Sequence, residues 1–162
     1  MKGEEVFKKY SKQVYITALA YLKDHSDAED VLQDVFVKYV SSSKTFESEE
    51  YLKNWLLKVT VNCAKNKLRV PWRRRSAELG EELPDPDDSI GSRARELDVR
   101  NAVMSLSEKY RMALILFYYD SLSVAKGAAV LGISEQAFKV RLFRAREQIK
   151  NILGEDYENE AF

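Results

Sequence analysis

The stretch GISEQAFKVRLFRAREQIK, from Gly132 to Lys150, spaces its side chains so that a helix would carry two opposed faces. Gln136, Lys139, Val140, Phe143 and Arg144 share one face, with Arg141 and Arg146 at its flanks, while Phe138, Leu142, Ala145 and Ile149 line the other. Long donors beside outward apolar groups suit the reading of duplex nucleic acid. Guanidinium and amide groups donate to base edges and phosphates, and a valine or phenyl group can meet a thymine methyl. Just upstream, Ala128, Gly132 and Ser134 have the spacing of a helix-turn-helix. A small residue lets two helices cross, a glycine accepts the left-handed turn, and a serine caps the next helix. A merely solvated face has no use for Phe143.

A second basic surface lies earlier in the chain. Lys58, Asn62, Lys65 and Arg69 fall at i, i+4, i+7 and i+11 and run towards Trp72-Arg73-Arg74-Arg75. Residues 58–75 hold seven basic side chains and no acidic one, whereas a face that only keeps a protein soluble mixes its signs. The formal net charge is zero, yet the charge is segregated: residues 76–98 carry −6 and residues 151–162 carry −4. In DAEDVLQDVF (27–36), Asp30, Gln33 and Asp34 lie opposite Val31, Leu32, Val35 and Phe36 and are available to another protein.

Several classes of chemistry are not supported. One cysteine, Cys63, and one histidine, His25, exclude a disulfide framework and a His- or Cys-rich metal centre. No glycine-rich phosphate loop and no carboxylate pair among apolar neighbours is present, so no catalytic residue, cofactor or small-molecule substrate is expected. Uncharged runs reach only about ten residues, too short for a membrane span. The charged start MKGEEVFKKY has no signal-peptide core, so the expected location is cytoplasmic without direct membrane insertion.

The elements that must position these residues read as helices throughout. Phe7, Tyr10, Val14, Ala18, Tyr21 and Leu22 mark a first helix, and a second is expected to start near Ser26 with the stripe Val31, Leu32, Val35, Phe36, Tyr39 and Val40. SSSKTFESEE (41–50) reads as a loop, followed by a helix over 51–68 that turns Leu52, Trp55, Leu56, Val59 and Cys63 inward. Trp55 is thereby assigned to core packing. Residues 70–95 lose periodicity and hold all three prolines. Order resumes at Val99, Val103 and Leu106, with a break at Ser105-Leu106-Ser107 where Ser107 is a candidate cap, and SVAKGAAVLG forms a short helix before the capped one. The expected fold is all-α, with two small helical domains (1–70 and 96–153), a flexible acidic linker (71–95) and an acidic tail (154–162).

In order and spacing, DAEDVLQDVF, Phe46 and YLKNWLLKVTVNCAKNKLR, then SLSEKYRMALILFYYDSLS and GISEQAFKVRLFRAREQIK, resemble the extracytoplasmic-function (ECF) class of bacterial sigma factors across most of residues 5–152. The resemblance implies a protein that directs RNA polymerase core to promoters and assists −10 melting. It implies that Asp30, Gln33 and Asp34 dock on the β′ clamp helices. It assigns the −10 element, as an unpaired strand, to Phe46 and to Lys58, Asn62, Lys65, Asn66 and Arg69. Phe46 would stack on or wall a flipped base, the asparagines would bond bases, and the cations would hold phosphates. The −35 duplex falls to Gln136, Lys139, Val140, Arg141, Phe143, Arg144 and Arg146. Promoter DNA, polymerase core and an anti-sigma factor, often membrane-anchored, are the implied partners, and the acidic linker would thread a basic polymerase channel. The alternative is a stand-alone helix-turn-helix regulator binding duplex DNA, which has no need of the N-terminal block.

Five positions depart from the family pattern. Gly127 stands where a bulky aliphatic is usual and Lys126 where an acid is usual; Ala137-Phe138 replaces a Thr-Val pair, and Asn66 a frequent Asp. Glycine inside a helix costs about 1 kcal/mol relative to alanine. The expected consequence at Gly127 is a lost core side chain and a weakened or shifted first helix of the helix-turn-helix.

Overall fold

The structure, a computed structural model, describes residues 3–69 and 90–154. The Trp72–Arg75 cluster, the linker up to residue 89 and the tail from residue 155 lie outside the described residues. Helices account for nearly all of the rest: α1 (Gly3–Leu22), α2 (His25–Ser41), α3 (Glu49–Leu68), α4 (Ile90–Ser105), α5 (Glu108–Leu114), a π-helical turn (Ile115–Tyr119), α6 (Val124–Leu131) and α7 (Glu135–Leu153). No strand occurs among the described residues. Two compact units result, one built on α1, α2 and α3 and the other chiefly on α4, α5 and α7. The chain enters α4 at Ile90, six residues before the sequence reading expects its second domain to begin.

In the first unit α1 packs on both α2 and α3, which pack on each other. Val6, Tyr10 and Val14 begin its buried line, and every residue from Ile16 to Leu22 is buried. Phe7 departs from the expected stripe: it is half exposed, with its ring edge-on to Phe36 at 5.0 Å. The cap of α2 is Asp24 rather than Ser26. Asp24 adopts an extended backbone and its carboxylate accepts from the Asp27 amide at 2.8 Å. The tight turn through Lys23, at φ 56°, leaves only this residue placed to do so, and a carboxylate there also suits the positive end of the helix dipole. The buried line of α2 is Ala28, Val31, Val35 and Phe36. Val40, expected on it, is 71% exposed, because nine residues after Val31 a 3.6-residue helix has turned half a revolution too far.

Helix α3 is capped by Ser48, whose hydroxyl accepts from the Tyr51 amide, so it starts two residues earlier than expected. Its buried face is Leu52, Leu56, Leu57, Thr60, Val61, Cys63 and Ala64, with Trp55 and Val59 only half buried. Two ion pairs tie it down: Lys9 Nζ donates to both carboxylate oxygens of Glu49 at 2.7 Å, and Lys67 Nζ meets Asp30 at 3.0 Å.

In the second unit, α4 and α5 pack on α7. Ser107 sits at the N-cap of α5, but its backbone carbonyl, not its hydroxyl, receives the Tyr110 and Arg111 amides. Buried Arg111 donates to the Leu106 carbonyl at 2.7 Å and closes the break. The π-helical turn ends where Asp120 N donates to Ile115 O and Leu122 N to Leu116 O, with Ser121 left-handed at φ 58°.

The helix-turn-helix forms as expected. Gly132 has φ +70°, the Ile133 amide donates to Ala128 O, and Ser134 Oγ accepts from the Ala137 amide at 3.0 Å. Phe138, Leu142, Ala145 and Ile149 are all buried. At Gly127 the structure corrects the expectation. A Cβ placed there would stand 2.5 Å from the tip carbon of the Phe138 ring, so the volume that the glycine vacates is filled from the other helix. Helix α6 runs through Gly127 without a break.

The capping geometry gives an expected outcome: Asp24→Ala lowers stability by about 1 kcal/mol in urea unfolding, while Ser26→Ala stays within about 0.5 kcal/mol.

Candidate nucleic-acid interface

On α2, Asp30, Gln33 and Asp34 are exposed on one face, and Val37, 64% exposed, extends it by one turn. Sequence reasoning missed Val37 because it looked for the residues that complete the core. Asp30 is tied to Lys67, so Asp34 is the carboxylate of the trio for which no ion pair is seen among the described residues.

On α3, Lys58, Asn62, Asn66 and Arg69 are exposed and Lys65 is half exposed, all along the side away from the buried face. No acidic residue interrupts this stripe in the chain. At its N-terminal end lies an aromatic cluster that the sequence reading did not assemble. Phe46, brought back by the 42–48 loop, stands 5.5 Å from Trp55 and 6.2 Å from Tyr39, and the Tyr39 and Trp55 rings are themselves 6.2 Å apart. Trp55, half buried, packs on Tyr39 of α2 and at the same time walls the loop that carries Phe46. Phe46, Tyr39, Lys44, Thr45, Ser48 and Glu49, with Leu52, line an open depression of about 410 Å³, within the range of small-ligand sites. A ring system flanked by a cation, hydroxyls and a carboxylate offers both a stacking surface and polar partners. Glu49 is held in place by Lys9, whose ammonium pKa is raised by that bond.

On α7, Gln136, Lys139, Val140, Phe143 and Arg144 are exposed as expected, Phe143 at 63%. Arg141 is half exposed. Together with Lys109, Tyr110 and Ser134, the residues Gln136, Val140, Arg141 and Arg144 line a second open depression, of about 420 Å³. The Arg144 guanidinium holds the Tyr110 phenol below its ordinary value, and Lys109 adds to the effect. A positive field that lowers a phenol pKa also favours a phosphate. Arg146 stands apart from the others. Its Nε donates to the Tyr118 hydroxyl at 2.8 Å, and its guanidinium lies 5.7 Å from the Phe117 ring and 5.5 Å from the Tyr118 ring. The π-helical turn sets those two rings to receive it. The only foretaste of Tyr110 and Tyr118 in the chain is their position on either side of a long apolar run.

Burial pushes the Cys63 thiol up, which suits a packed cysteine rather than a reactive one. Among the described residues no group of His, Cys, Asp and Glu could hold a metal ion, and no helix is long and apolar enough to cross a membrane.

Comparison with known proteins agrees with this geometry. The family model described as Sigma-70 region 2 matches residues 6–74, and that described as Sigma-70, region 4 matches residues 96–149. The chain is 31% identical over 139 residues to the ECF RNA polymerase sigma-E factor of Escherichia coli K12, covering 77% of this chain and 73% of that one. It is 27% identical to the ECF sigma factor SigM of Bacillus subtilis, covering 93% and 94% of the two chains. Among solved structures, the sigma factor RpoE from Bartonella quintana, in complex with the anti-sigma factor NepR, superposes with a TM-score of 0.75 at 23% identity over 94% of this chain and 97% of that one. CnrH, in complex with the cytosolic domain of CnrY, gives 0.65 at 22% identity over 93% and 86%. At those identities the two structures speak for the fold alone.

A helical protein with one sigma-70 region in each half is thus defined. The chain belongs to the ECF class of RNA polymerase sigma factors, and it directs RNA polymerase to promoters rather than acting as a stand-alone helix-turn-helix regulator.

The pairing at α7 gives a pH prediction. Arg144→Ala removes the main cause of the lowered Tyr110 pKa, so the phenol titration moves to higher pH, whereas Lys139→Ala leaves it in place; NMR titration of the tyrosine ring reads the difference.

Proposed function

We propose a division of labour among three surfaces. The Gln33, Asp34 and Val37 face of α2, with Asp30, docks on the clamp helices of the polymerase β′ subunit. An exposed valine one turn beyond the acids suits a helical partner that offers a basic residue beside an apolar one. The depression at Phe46 receives a base of the unpaired −10 strand, stacked against the aromatic cluster. The stripe Lys58, Asn62, Lys65, Asn66 and Arg69 holds the phosphates and neighbouring bases. The outward face of α7 enters the major groove at the −35 element: Gln136, Lys139 and Arg144 donate to base edges, and Val140 and Phe143 meet methyl groups. Arg141 lies on a phosphate beside Tyr110. Arg146 contributes by steadying α7 against the π-helical turn, with its charge still near the backbone.

The observation that carries this reading is the aromatic-walled depression at the head of a basic stripe without acids. A duplex-only binder has no use for a cavity suited to a single base. A single strand, in contrast, needs both a stacking surface and a phosphate track.

Regulation follows from the same surfaces. RpoE and CnrH were solved with anti-sigma partners, and this chain exposes acidic, basic and apolar faces that such a partner would cover. An anti-sigma factor is therefore proposed as its partner too, with the chain at work in the cytoplasm and tethered only through that factor where the factor is membrane-anchored.

Run-off transcription with polymerase core tests the scheme. Asp34→Ala is expected to weaken core binding with little change in promoter preference. Phe46→Ala is expected to lower open-complex formation about tenfold or more, since base stacking is worth about 1–3 kcal/mol. Arg144→Ala is expected to reduce −35-dependent transcription by a similar factor. Equal effects of Asp34→Ala and Arg144→Ala on core binding would contradict the division.

A further inference from the structure

Gly127 and Phe138 each depart from the usual pattern, and the structure brings them face to face. Phe138 is 0% exposed. A Cβ on Gly127 would come within 2.5, 2.8 and 3.1 Å of three carbons at the end of its ring. The ring therefore reaches from α7 almost to the backbone of α6, in space that a side chain at 127 would otherwise occupy. An aliphatic at 127 with valine at 138 supplies a similar number of side-chain carbons, shared between the two helices. The two arrangements fill one gap, yet they hold the helices apart at different points.

The location makes that difference matter. Phe138 lies between Gln136 and Lys139 in the chain, in the first turns of α7, and Val140, Phe143 and Arg144 follow within two turns on the outward side. A contact that shifts or tilts α7 at Phe138 carries the whole reading face with it. Hydrogen bonds to base edges tolerate little displacement, because they weaken steeply away from good distance and angle.

We propose that Gly127 and Phe138 are positioning residues for promoter recognition. The size-swapped pair sets how α7 sits on α6, and so decides which −35 sequence the outward face prefers. The proposal rests on the reading that α7 reads the −35 duplex. It explains how two substitutions that touch no DNA can alter specificity.

The test is a double-mutant cycle in the full chain, assembled with polymerase core. Phe138→Val opens a cavity, and Gly127→Ile forces a clash. Each is expected to lower the melting temperature by on the order of 10 °C. Gly127→Ile/Phe138→Val keeps the same number of side-chain carbons and is expected to recover more than half of that loss. Transcription from a promoter pool randomised at the −35 element then reads preference. The rescued double variant is expected to change the ratio between its best sequence and the wild-type best sequence by about fivefold or more. Core binding, measured separately, is expected to stay within about twofold.

Phe143→Ala, which removes an exposed ring without touching the seat of α7, serves as the comparison for a lost contact. Losses that simply add in the double variant would show that the two residues do not complement each other, and would overturn the proposal. A rescued double variant with the wild-type preference would reduce the pair to packing alone and overturn it as well. A wild-type chain with no −35 preference would sink the reading of α7 together with the proposal, which distinguishes the two failures.

Discussion

Two helices of this protein carry a strong excess of cationic side chains outward, with no acid from Lys58 to Arg69 on α3 and Glu147 as the one acid beyond the first turn of α7, and that constraint shapes how the rest is held. A surface of one sign repels itself and contributes nothing to its own folding. Everything that holds α3 and α7 must come from their inner faces and ends. Each has an unbroken apolar line, and each starts at a serine whose hydroxyl accepts a backbone amide. The ion pairs of α3 sit off its basic stripe, at Glu49 and Lys67. Arg146 turns from the face of α7 onto aromatic rings rather than towards a carboxylate. With acids gathered on α2, in residues 76–98 and in the tail, the chain reaches zero net charge without neutralising either stripe.

The parts legible in the sequence were those set by a single repeat length. The inner line of α7 and the outer stripe of α3 follow from spacing alone, since residues three and four apart share a helix face whatever surrounds them. The same rule misplaced Val40 when the stripe of α2 was extended without allowing for angular drift over nine residues. Local backbone chemistry was less readable. Asp24 and Ser26 are both good caps by type, and only the turn at Lys23 decides between them. The π-helical turn left no mark, because one extra residue in an apolar run keeps the run apolar.

The candidate sites were legible by residue and illegible by assembly. Phe46 entered through the family resemblance alone, as the aromatic of the loop 41–50. Its contact with Tyr39 and Trp55, however, depends on a loop closing over helices on both sides, which no periodicity reports. Arg144 was visible, but Tyr110 beside it comes from a helix 34 residues earlier in the chain. Such partners follow only from helix packing.

The sharpest case is Gly127, where each half of a compensated exchange looked like a defect when read alone. A glycine inside α6 costs about 1 kcal/mol in helix propensity. Fully burying a phenylalanine contributes about 1.5–3 kcal/mol, an upper figure because unfolded chains already bury some of that surface. A glycine without the ring would leave a void, and the ring without the glycine would collide with a side chain. Together their effects are of similar size and opposite sign. An exchange close to neutral in stability is constrained mainly by geometry, and here the geometry belongs to the helix that carries Val140, Phe143 and Arg144 outward.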